Sequence, residues 1–145
     1  MFKVKVGNKS FRVQDDAALG RSVIEAALKA AVDGARPYVL GVPRLLRFYR
    51  RAEGPVAFLG RATLNGSTVE VSVATTTTFA GLVHTIAHEL RHVSQHRFGH
   101  GSDMAAREVD AWKVGRRARR AVRGAVPDAG VLVLGPLAGA RLAAQ

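Results

Sequence analysis

The sequence predicts an α+β domain in which a hairpin-rich antiparallel or mixed sheet packs on a histidine-bearing helix and on the helix that follows it. Three observations predict it. The segment FKVKVGNKSFRVQ alternates around Gly7-Asn8, the period-2 signature of two strands closed by a tight turn. VAFLGRATLNGSTVEVSVAT repeats the pattern around Asn65-Gly66, with Val69, Val71 and Val73 alternating with Glu70 and Ser72. The period then changes: Phe79, Leu82, Val83, Ile86, Leu90 and Val93 recur at the spacing of one helix face.

Taken in order, the first hairpin is followed by Asp15 or Asp16, either of which suits the cap of a helix over about 17–33 that ends at Gly34. That helix buries Leu19, Val23, Ile24, Ala27, Leu28 and Ala31. RLLRFYRR (44–51) reads as a short amphipathic helix with its arginines outward. After the second hairpin, the threonine run 75–78 leads into the histidine helix with Thr78 at its cap, and Gly99 stops it. Ser102 caps the next helix, Asp103 suits its first turn, and Gly124 with Pro127 closes it. The apolar tail GVLVLGPLAGARLAAQ, broken by Gly135, Pro136, Gly139 and Arg141, reads as a strand or turn of helix packed on the domain.

The bulk composition bounds the answer. At 145 residues and 48% apolar content the chain is expected to form a single domain over 1–145 with its own core. It has no cysteine, which excludes disulfides and thiolate metal sites and leaves nitrogen and oxygen to hold any ion. The segment MFKVKVGNKS lacks the apolar core of a signal peptide, and no run approaches the roughly 18 apolar residues of a membrane span, so the expectation is a cytoplasmic protein without membrane contact. The net charge of +11 concentrates in 44–51 and in RRARRAVR (116–123). Those faces suit nucleic acid or another polyanion, and equally a plain solvated surface.

The chemistry lies in HTIAHELRHVSQHRFGH, where all five histidines follow one another at four-residue intervals from His84 to His100. Such a stripe drifts by about 40° per step on a helix, so only adjacent members can meet on one small object. One adjacent pair has a carboxylate beside its first member: His88-Glu89-Leu90-Arg91-His92, an HExxH. Histidines at i and i+4 offer both imidazoles to one tetrahedral ion, with the glutamate near the open position. Zinc suits that donor set. It lowers the pKa of bound water toward about 7, and Glu89 is placed to act as general base. The competing reading is a pair of solvated helix histidines with Glu89 paired to Arg91.

A third ligand must come from elsewhere. Glu108 shares a helix face with Met104, Ala105, Ala111, Trp112 and Gly115, so it reads as a carboxylate set among apolar residues and in need of a partner. Asp110 falls with Asp103, Arg107 and Arg117 on what reads as a solvated ion-pair face. His100 is the alternative third ligand, while His84 and His96 read as neighbours of the site or exposed residues. For the oxyanion the candidate donors are Tyr38, Tyr49, Arg91, His96 and His100.

At these residues the chain resembles the zincin metallopeptidases, and within them the compact gluzincin arrangement of HExxH on one helix and a glutamate on the next. The resemblance covers about 75–123, with AREVDAW similar to the glutamate-bearing helix. It implies a small zincin-like fold, His88, His92 and Glu108 as zinc ligands, Glu89 as general base, and a sheet edge lining the cleft, here assigned to 68–74. Where relatives often carry an acidic residue four positions after the ligand glutamate, this chain has Trp112. FGHGSDM also resembles SprT-like proteases, in which a later histidine in an H-G context completes the site and the substrates are DNA-bound proteins. The expected function is therefore a zinc-dependent endopeptidase acting on a peptide or protein. The alternatives are an SprT-like protease that uses His100, and a basic nucleic-acid-binding module with a structural or inactive zinc site.

Overall fold

The computed structural model describes residues 1–51, 60–62, 67–99, 103–125 and 129–135. It is an α+β fold of five strands and three helices: β1 (Phe2–Val6), β2 (Lys9–Asp15), α1 (Arg21–Gly34), β3 (Leu45–Arg50), β4 (Gly60–Ala62), β5 (Thr68–Val73), α2 (Phe79–Phe98) and α3 (Met104–Ala125). The strands form one mixed sheet in the order β1-β2-β3-β5-β4. Its outer pairs are antiparallel and its inner pairs, β2 with β3 and β3 with β5, are parallel.

The first hairpin forms as its alternation predicts. Phe2 pairs with Val13 and Val6 with Lys9, and Gly7 takes φ +59 in the turn, where a side chain would be strained. Val4, Val6, Phe11 and Val13 point into the core. The second hairpin is present as β4 against β5, while its Asn65-Gly66 turn lies outside the described residues. Glu70 stands in register with Arg47 on β3 and Arg61 on β4 and pairs with both, at 3.0 Å and 2.7 Å, which ties three strands together on the polar face of the sheet.

Three elements differ from expectation. RLLRFYRR is a central strand rather than a short helix: Leu46 and Phe48 are fully buried, whereas Arg47 and Tyr49 stack at 5.3 Å on the other face. Its apolar residues fit either period, and parallel partners on both sides decide the matter. The first helix begins at Arg21 rather than near residue 17. Asp15 accepts from the amides of Leu19 and Gly20 and so holds the loop before the helix, and Asp16 pairs with Arg47 at 2.7 Å. Thr68–Val73 is also not a sheet edge, being paired on both sides; beyond it β4 forms the edge on that side, as β1 does on the other.

The helices lie on the apolar face. α1 packs on the first hairpin and α2 on β4 and β5, while α3 covers α1 and α2 from outside. α2 is therefore enclosed on two sides, and Phe79, Leu82, Val83, Ile86, Leu90 and Val93 are all buried as predicted. Its first turn is fully satisfied. Thr78 Oγ1 accepts from the Gly81 amide, and the tail supplies carbonyls of Val131 and Ala129 to the amides of Phe79 and Ala80. Asp103 accepts from the Ala106 amide at 2.8 Å in the first turn of α3; Ser102, expected as its cap, lies outside the described residues, as does Pro127.

Candidate metal centre

The α2–α3 contact builds the site. α2 turns His88, Glu89 and His92 toward α3, and their ligand atoms lie within 4.8 Å of one another. From α3, Glu108 reaches across: Oε2 is 3.3 Å from His88 Nε2 and Oε1 is 2.7 Å from His92 Nε2. The two imidazole rings stand at 75° with centroids 5.0 Å apart. The close approach of the helices depends on Gly115, where a Cβ would come within 2.8 Å of the His84 carbonyl.

Two of these atoms are buried without a hydrogen-bond partner. His92 Nε2 faces Glu108 without the alignment of a hydrogen bond, and Glu89 Oε2 has no partner. Burial of such atoms is unfavourable unless something answers them. Two nitrogens and two carboxylates converging in this way could hold a metal ion, and a cation would satisfy both orphaned atoms. The electrostatics agree. Burial pushes the Glu89 carboxyl up to about 8, with the charge of Glu108 adding to the effect. Burial also lowers His88, helped by His92 and opposed by Glu108. Both groups are thus held neutral in the metal-free protein, and an adjacent cation favours the Glu89 carboxylate.

The surroundings correct the sequence reading in two places. Glu108 reaches the histidines, but its side chain is 58% exposed rather than set among buried apolar residues. Met104 and Trp112 beside it are also exposed, because the buried stripe of α3 is Ala111, Val114, Gly115, Ala118 and Val122, rotated by about 60° from the expected one. That rotation brings Asp110 to the helix interface instead of to solvent. Asp110 Oδ2 accepts from Arg91 Nε at 2.6 Å and from Gln95 Nε2 at 2.8 Å.

Gln95 is the residue that the motif did not disclose. Its Oε1 lies 2.8 Å from His92 Nδ1, and its amide nitrogen also donates to the Arg107 carbonyl. The available signal was its position three residues after His92, which puts both on one face of α2. Of the candidate oxyanion donors, Arg91 is engaged by Asp110 and by the Tyr38 carbonyl, and Tyr38 packs its ring beside Arg91 and Arg117. Tyr49 lies on the opposite face of the sheet from α2, and His96 is exposed. His100 lies outside the described residues. His84 packs its ring 6.1 Å from that of Trp112 and 6.2 Å from that of His88, and burial carries its pKa down to about 4.

Fold and site together define an α+β protein with a candidate metal centre at a helix–helix contact. No family model, curated protein or solved structure matches the chain. Among the described residues, no helix is long and apolar enough to cross a membrane.

Proposed function

We propose that the chain is a zinc-dependent metallopeptidase of compact, zincin-like design, with His88, His92 and Glu108 as ligands and Glu89 as general base. The observation that supports this most is the convergence of Glu108, from a separate helix, on the imidazole nitrogens of the HExxH pair. Bound zinc would supply a Lewis acid that polarises a peptide carbonyl and acidifies water. The protein's own residues supply the rest. His92 is oriented through Nδ1 by Gln95, which frees Nε2 for the ion. Glu89, enclosed at 5% side-chain exposure, takes the proton from the attacking water and returns it to the leaving amine. An extended peptide would pair with edge strand β4, which contacts α2.

The test begins with zinc per chain, measured by elemental mass spectrometry for wild type, Glu108→Ala and His100→Ala. About one zinc is expected in wild type, lost with Glu108 and kept without His100. Loss with His100 instead would transfer the third ligand to it and favour the SprT-like reading. Peptide cleavage should then vanish with a chelator and fall about 100-fold or more in Glu89→Gln, with zinc retained. Zinc without cleavage of any peptide would retire the peptidase in favour of a structural ion.

A further inference from the structure

The outer face of α3 carries cations that no carboxylate in the described structure answers. From Ala111 to Ala125 the helix has six basic residues and no acidic one. Lys113, Arg116, Arg120 and Arg123 fall within an arc of about 80° and run about 15 Å along the axis. All four are exposed, and the ion pairs among the described residues engage none of them. The carboxylates that open the helix are already committed, Asp110 to Arg91 and Glu108 to the histidines. Trp112, half-exposed, adjoins the stripe with the Arg116 guanidinium 5.3 Å from its ring.

We infer that this stripe binds the phosphate backbone of nucleic acid without regard to sequence. Four like charges on nearly three turns repel one another, and a linear polyanion laid along them relieves that repulsion. Three of the four are arginines, whose planar fork matches phosphate oxygens in pairs. A lipid surface fits less well. The apolar face of α3, which would have to enter the membrane, is buried against α1 and α2. Trp112 offers an indole at the end of the stripe for a base to stack on. The inference rests on charge and packing and is independent of the metal reading.

The experiment is fluorescence anisotropy with a labelled 20-base-pair duplex of mixed sequence, read alongside quenching of Trp112, the only tryptophan in the chain. Wild type should bind at 50 mM salt and lose about 100-fold in affinity by 200 mM, the dependence expected for four phosphate contacts. The variant K113Q/R116Q/R120Q/R123Q should lose most of that affinity and reduce the log–log salt slope by about 3 to 4, with its melting curve unchanged. A control on the outer face of the sheet, K3Q/K5Q/R12Q, should stay within about threefold of wild type. No binding at 50 mM salt overturns the inference. So does an equal loss in the control, which would mean net charge alone, or stripe-dependent binding to phosphatidylserine vesicles without binding to the duplex.

Discussion

Gln95 Oε1 stands 2.8 Å from His92 Nδ1 while the same amide's nitrogen donates to Asp110 Oδ2 at 2.8 Å and to the Arg107 carbonyl at 3.0 Å. Both partners of the nitrogen are acceptors, so the amide has one orientation and His92 must donate from Nδ1. Nε2 is thereby the nitrogen left to face Glu108 and the candidate ion. Gln95→Met keeps the volume and removes both roles. It should weaken zinc binding about 10- to 100-fold in a chelator competition, with the circular dichroism unchanged. Unchanged affinity would mean that packing alone orients the ring.

Glu89 gives the metal-free protein a distinctive pH dependence. Its carboxyl is raised to about 8 in the fold from an unfolded value near 4.5, so between these the native state holds a proton that the unfolded state has lost. Stability therefore falls as pH rises from about 4.5 to 8, by on the order of 5 kcal/mol from this group. Glu89→Gln should be no more stable than wild type near pH 4.5 and clearly more stable at pH 8. Thermal melts in chelator at the two pH values read the difference, and excess zinc should erase the wild-type decline.

His84 acts in the opposite sense. Burial lowers it to about 4 from an ordinary 6.5, so it contributes stability that is present above about 6.5 and lost as pH falls through 4. Its imidazole resonances in the metal-free protein should keep their neutral shifts at pH 5.5. A midpoint near 6.5 would mean that the space beneath Trp112 is open to water.

Two glycines of α3 should respond with opposite sign. Gly115→Ala forces a Cβ against the His84 carbonyl, with the nearest contact at 2.8 Å, and should destabilise by about 1–3 kcal/mol while lowering metal affinity by parting Glu108 from the histidines. Gly124 has nothing within 4 Å, so Gly124→Ala should be neutral or stabilise by up to about 1 kcal/mol. Melting temperatures of the pair decide whether the interhelical contact is as close as described.

Much of the scaffold is legible because its causes are local. The β1–β2 turn, the Thr78 cap and the apolar stripe of α2 each follow from residues within a few positions of one another. HExxH is legible for the same reason, since one helical turn is enough to bring its members together. RLLRFYRR misleads because its alternation is short and its partners, β2 and β5, are distant in sequence.

By itself, then, the sequence determined the α+β class, the elements with strong periodicity, and the histidine–glutamate cluster of α2. Only the tertiary structure decided how α3 is turned against that helix. A lone helix has several nearly equivalent apolar arcs, and the choice among them depends on what α1 and α2 present to it at Gly34 and at the His84 carbonyl. That choice leaves Glu108 half in solvent yet in reach of both imidazoles, and draws Asp110 inward to hold Gln95. The His88-Glu89-His92 cluster was written in one turn of helix; the addition of Glu108 and Gln95 came from packing between elements that no local pattern connects.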